Sequence, residues 1–177
     1  WERDSKFPFG HMIQILGPIG DLGTETRAIL IESEIATEPF GPQVIASLPS
    51  GSNDGWLIPK QELSVRRDIR QTHRTCSIDP PGCTDVDDAL SVCNLENGNI
   101  EIGVHIADVS FFVRAGSPLD QEARSRGTTV YLVENRFDML PSVLSEDLCS
   151  LIAGVDRLAV SVIWEYNPGL TEVVSVW

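Results

Sequence analysis

The sequence predicts an α+β fold with a mainly antiparallel sheet and flanking helices. Three observations carry it. Asn97-Gly98 lies between two apolar arms, the strongest short hairpin signal a sequence offers. Residues 158–166 (LAVSVIWEY) read as a strand, followed by the turn Asn167-Pro168-Gly169 and a return partner over 170–177. Between these, Ser117-Pro118-Leu119-Asp120 opens a helix that Gly127 closes, with Ser117 as N-cap and Pro118 at the first helical position.

In chain order, residues 11–16 (HMIQIL) read as a strand. Leu22, Ile29, Leu30 and Ile35 form a helical stripe over 21–35, although 29–31 also suits a buried strand. A short helix follows over 43–48, then a loop over 49–55, then a third short helix after Pro59. Residues 76–78 read as a short strand. With Asn97-Gly98 as a two-residue loop, Leu95 faces Ile100 and Asp87 faces Asp108. Residues 128–133 (TTVYLV) are predicted as a strand carrying Tyr131, and 143–148 as a short helix.

The chain has 177 residues, 42% hydrophobic and 22% charged, the profile of a globular protein. No apolar run approaches the ~20 residues of a membrane span, so no membrane partner is expected. Because the sequence starts without Met and stops within an apolar run, it reads as a fragment. Net charge is −13. Residues 1–70 hold 7 Lys+Arg against 10 Asp+Glu, and residues 71–177 hold 6 against 16. That argues against a simple nucleic-acid binder, which shows a basic footprint. The one basic run, Arg66-Arg67-Asp68-Ile69-Arg70, is either a solvated face or a phosphate contact. No C-x-x-C occurs, which argues against zinc. Cys76, Cys93 and Cys149 read as buried thiols in a reducing compartment.

The chemistry concentrates in residues 78–89, IDPPGCTDVDDA. Asp79, Asp85, Asp87 and Asp88 fall within ten residues. Each like-charged pair at about 4 Å costs about 4 kcal/mol at an effective dielectric of 20. Protonation, full exposure or a cation relieves this. Pro80, Pro81 and Gly82 force a turn. Asp85 and Asp87 share a face if extended, and Asp88 points the other way. Oxygen-only ligands suit Mg2+ where a phosphate completes the shell.

The sequence resembles the RNB domain of the RNase II exoribonucleases, in particular the eukaryotic exosome-associated, Dis3-type branch. The matching segments are 76–90 (CSIDPPGCTDVDDAL), 97–113 (NGNIEIGVHIADVSFFV), 127–133 (GTTVYLV), 139–151 (MLPSVLSEDLCSL) and 155–165 (VDRLAVSVIWE), together with 9–23. The resemblance implies that residues 1–16 end an OB/cold-shock-type domain, that 17–65 form a helical linker, and that 66–177 begin the catalytic domain. It implies Mg2+-dependent, hydrolytic 3′→5′ degradation of single-stranded RNA to nucleoside monophosphates. Asp79, Asp85, Asp87 and Asp88 match the metal-site and catalytic positions, with Mn2+ as the alternative ion. Tyr131 matches the aromatic that stacks on the RNA 3′ end, and Asp108 is added as a second-shell carboxylate on the hairpin register. Implied partners are the 3′ end of single-stranded RNA and the exosome core, in nucleus or cytoplasm. Other family parts are missing here, so the fragment alone is expected to be weak or inactive. The alternative is an RNA-binding paralogue without catalysis, which would be expected to lose metal aspartates.

Overall fold

The computed structural model describes residues 6, 7, 9–49 and 55–177. The first residues of the expected OB-type tail, 1–5 and 8, and most of the expected loop 49–55 lie outside that set. The chain divides into two compact units, residues 1–39 and 40–177.

In the first unit, α1 (Leu22–Glu32) is capped by Asp21, whose carboxylate accepts from the Thr24 amide at 2.9 Å. The helical reading of 21–35 holds over the strand reading. The strand expected over 11–16 is not formed. Met12, Ile13 and Ile15 are exposed, and a strand exists only through a ladder partner, which no described residue supplies.

The second unit is built on a five-stranded sheet in the order β1 (Arg74–Cys76), β2 (Asp88–Asn94), β3 (Ile100–Ala107), β6 (Ala159–Tyr166), β7 (Val173–Val176). Every pairing is antiparallel. A separate hairpin joins β4 (Val130–Tyr131) to β5 (Arg136–Phe137). The short helices α2 (Pro42–Ala46), α3 (Lys60–Val65), α4 (Val109–Phe112) and α5 (Pro118–Arg126), with a π-helix over Val143–Leu148, flank these strands. Ser117 caps α5 and Gly127 closes it at φ 77°, as its sequence predicts. None of the described helices is long and apolar enough to cross a membrane.

The β2–β3 register differs from expectation by one residue. Leu90 faces Val104 and Asn94 faces Ile100. The loop is three residues, Glu96-Asn97-Gly98, closed by Leu95 N–H to the Asn99 carbonyl at 2.9 Å, with Gly98 at φ 85°. Asn-Gly serves a two-residue turn, but it equally serves a three-residue loop whose last position is left-handed. The shift places Ala107, not Asp108, opposite Asp87, with Ala107 N–H donating to the Asp87 carbonyl at 2.9 Å. Asp108 instead caps α4, accepting from the Phe111 amide, and pairs with Arg66 at 2.6 Å.

The two faces of the sheet are inverted relative to an ordinary core. Leu90, Val92, Ile106, Val160, Val162 and Val176 lie exposed on one face. The sheltered face carries Ser91, Glu101 and His105, all buried. His105 bridges Ser91 Oγ at 2.8 Å and Ser161 Oγ at 2.7 Å. Glu101 binds buried His73 Nε2 at 2.6 Å and Arg67 at 2.9 Å. The apolar core lies elsewhere, where Val44, Leu119, Leu144, Leu148 and Cys149 meet Ala107. Of the cysteines read as buried, Cys149 is, Cys93 is half-buried and Cys76 is exposed, because Cys76 sits on edge strand β1 opposite exposed Leu90.

Candidate active site

The acidic segment is a turn bolted down at its far end. Cys83 N–H donates to the Pro80 carbonyl at 3.1 Å, and Gly82 sits at φ 85°. Pro81 followed by a left-handed glycine is the type II pattern. Buried Val86 then pins the chain. Its amide donates to Ser150 Oγ at 3.0 Å, and its carbonyl accepts from Leu151 N–H at 2.8 Å. Ser150 Oγ donates in turn to the Thr84 carbonyl at 2.7 Å. Val86 is buried while its neighbours Asp85 and Asp87 keep solvent access, the alternation that a shared face for the two carboxylates requires. Asp88 opens β2 on the sheet's apolar face, level with Ile106. Asp79 is exposed in the preceding loop.

The four charges feel one another. Asp87 is solvent-exposed as a residue, yet its carboxyl is raised above the usual range, by desolvation first and then by Asp85, Asp88 and Asp79. Asp85 moves the other way, chiefly because the Tyr131 hydroxyl donates to its Oδ2 at 2.7 Å. The Tyr131 hydroxyl is in turn pushed up to about 12, by that bond first. The Tyr131 ring remains 64% exposed. The structure thus brings Tyr131, Asp85 and Asp87 together. It does not bring Asp108 into this group, because the Asp108 carboxylate is taken up by Arg66 and Ser110. Among the described residues, no three acidic, histidine or cysteine side chains converge as a finished metal cage. The donor chemistry nonetheless fits a hard divalent ion: four carboxylates, all oxygen donors, whose like charges a cation would offset.

Arg136 is the site residue that sequence reasoning missed. It stands opposite Tyr131 in the β4–β5 ladder, and its guanidinium lies 3.6 Å from Asp85 Oδ2. Its other nitrogens pair with Asp138 at 2.8 Å and with Glu146 on the π-helix. A turn at Glu134-Asn135 would have set residue 138 across from 131; the chain turns at Val133-Glu134 instead, with Leu132 N–H donating to the Asn135 carbonyl at 2.8 Å, and this brings residue 136 across. The strand itself is shorter than predicted, with only Val130 and Tyr131 in the ladder.

The basic run is consumed internally. Arg66 pairs with Glu62 and Asp108, Arg67 with Glu101, and Arg70 with Asp68 and Asp156. These arginines tie residues 66–70 to the sheet and its loops.

Residues 66–177 match the RNB domain, and residues 1–34 match the Dis3-like cold-shock domain 2. The chain is 52% identical over 177 residues to exosome complex exonuclease RRP44 homolog A of Arabidopsis thaliana, covering 99% of this chain and 18% of that protein. It is 52% identical to human exosome complex exonuclease RRP44, covering 94% of this chain and 17% of that protein. The chain therefore spans less than a fifth of the length of these relatives. Among solved structures, Mycoplasma genitalium RNase R in complex with ribose-methylated single-stranded RNA matches with a TM-score of 0.76 at 25% identity, covering 93% of this chain and 24% of that one. Yeast Ssd1, described as a pseudonuclease, matches with a TM-score of 0.77 at 27% identity, covering 100% of this chain and 22% of that one. On the match of residues 66–177 and on these relatives, the chain belongs to the RNB-domain family, in its Dis3-like branch.

Proposed function

We propose that the protein to which these residues belong is a hydrolytic 3′→5′ exoribonuclease that degrades single-stranded RNA to nucleoside monophosphates. The observation that carries this is the juxtaposition of the acidic turn with an exposed aromatic: Asp85 and Asp87 beside Tyr131. In this reading Asp79, Asp85, Asp87 and Asp88 hold Mg2+, or Mn2+ in its place. When bound, the ion supplies Lewis-acid polarisation of a phosphoryl oxygen and a more acidic water. The chain's own residues do the rest. Val86, locked to Ser150 and Leu151, fixes the carboxylates on either side of it. The Tyr131 ring offers a stacking platform, which tolerates any base. The relatives named exosome exonucleases and the RNA-bound RNase R structures support this substrate class. The names of the exosome exonuclease relatives also support the exosome core as a partner.

A second reading is an RNA-binding paralogue without catalysis, favoured by the likeness to the Ssd1 pseudonuclease. All four aspartates are present here, which weighs against it. Full-length protein, single-stranded RNA and Mg2+ separate the two, with Asp87→Asn as comparison. Monophosphate release by the wild type, lost in Asp87→Asn with RNA binding retained, supports the nuclease. RNA binding without degradation by either protein establishes the paralogue.

A further inference from the structure

The acidic turn is steadied by a cation of its own. Asp85 uses its two oxygens differently. Oδ2 accepts from the Tyr131 hydroxyl at 2.7 Å and faces Arg136 Nη1 at 3.6 Å. Oδ1 accepts from the Cys83 thiol at 3.5 Å, a weak donor. Arg136 is itself held at two points. Nε pairs with Asp138 Oδ1 at 2.8 Å, just beyond β5, and Nη2 pairs with Glu146 on the π-helix. A guanidinium is planar and rigid, so fixing two nitrogens fixes the third. The third points at Asp85. One side chain thus links the acidic turn, the β4–β5 hairpin and the π-helix.

We propose that Arg136 is a positioning residue for Asp85: with Tyr131 it holds Oδ2, so that Oδ1 is the oxygen Asp85 offers to a divalent cation. This rests on the metal-dependent reading above. It makes a prediction about sign that a mere neighbouring charge does not. A bystander arginine repels the incoming cation, so removing it would tighten cation binding. A positioning arginine prepares the ligand, so removing it loosens binding despite the lost repulsion.

The test is titration of Mn2+ into the full-length protein without RNA, followed by calorimetry, for wild type, Arg136→Met and Arg136→Lys. The Met variant is expected to bind Mn2+ about tenfold more weakly, the low end of what outer-shell partners of metal ligands cost. The Lys variant is expected to be weakened similarly, because one ammonium does not span three carboxylates in a plane. Single-stranded RNA affinity in chelator is expected to stay within about twofold, since no RNA contact is assigned to Arg136. Mn2+ binding as tight as wild type, or tighter, in Arg136→Met overturns the proposal, as does full recovery in Arg136→Lys. Should the Met variant not fold, the Lys variant decides alone, because it keeps charge and length. Wild-type protein that binds no Mn2+ sinks the metal reading and this proposal together. Wild-type binding matched by both variants sinks this proposal only.

Discussion

The Tyr131 hydroxyl donates to Asp85 Oδ2 across 2.7 Å, so the exposed ring and the acidic turn share a bond. The ring and the hydroxyl therefore have separable tasks. Tyr131→Phe keeps the stacking surface and removes the donor that stabilises ionised Asp85. Without it the Asp85 carboxyl titrates at higher pH. The acid limb of the kcat/KM profile of the full-length protein is expected to move upward, with RNA affinity within about twofold of wild type. Tyr131→Ala removes the platform as well and is expected to weaken RNA binding by about 1–3 kcal/mol per base lost from the stack. Filter binding and a pH–rate series check both.

Asp87 carries an electrostatic cost to the fold. Desolvation and the charges of Asp85, Asp88 and Asp79 raise its carboxyl above the ordinary 3.8. Between the unfolded and the raised folded pKa, the folded protein binds more protons. Stability contributed by this group is therefore full below the ordinary carboxylate range and falls as pH rises through the folded value. Asp87→Asn in full-length protein, kept free of divalent ions, is expected to raise Tm at neutral pH, with a gain in unfolding free energy of less than about 1 kcal/mol because solvent screens the site. The gain is expected to vanish in acid. Scanning calorimetry at the two pH values reads it.

Glu101 behaves in the opposite sense. Burial pushes its carboxyl up, but the bonds from His73 and Arg67 outweigh burial and leave it below 4.5. Its contribution to stability is present above the unfolded value and is lost as pH falls through the folded one. His73→Ala leaves a buried carboxylate with one partner, and is expected to cost about 3 kcal/mol. Urea unfolding of the full-length variant measures that loss.

Gly103 faces the same sheltered side of the sheet. A methyl group added there would stand 2.6 Å from Ser91 Oγ and 2.7 Å from His105 Nε2. Gly103→Ala is expected to break the Ser91–His105 bond and to cost about 1–3 kcal/mol, the range for overpacking a filled interior. Thermal unfolding, with the His105 ring resonance followed by NMR, distinguishes this from a change confined to strand propensity.

The sheet's strands were legible because alternation and turn residues agree along β2, β3, β6 and β7. Register was less so. Asn97-Gly98 fits two loop lengths, and only the ladder selects the one that moves Asp108 away from Asp87. The segment 11–16 has a strand's composition, but composition supplies no partner. At the site, the acidic turn announced itself through like charges at short spacing. Arg136 did not, because one basic residue among Glu134, Asp138 and Glu146 reads as ordinary surface. Its place comes from a two-residue ladder and a π-helix, and neither carries a strong periodic signal.

A sheet that shelters Ser91, Glu101 and His105 and opens one aliphatic face to water is a folded object with an oily plate on it. Handled alone, these 177 residues are expected to light up an environment-sensitive dye such as ANS while still giving dispersed amide resonances. That pairing separates an uncovered plate from a molten globule, in which fixed side-chain signals are lost. Dye fluorescence by itself would mistake the intact polypeptide for a loosened one.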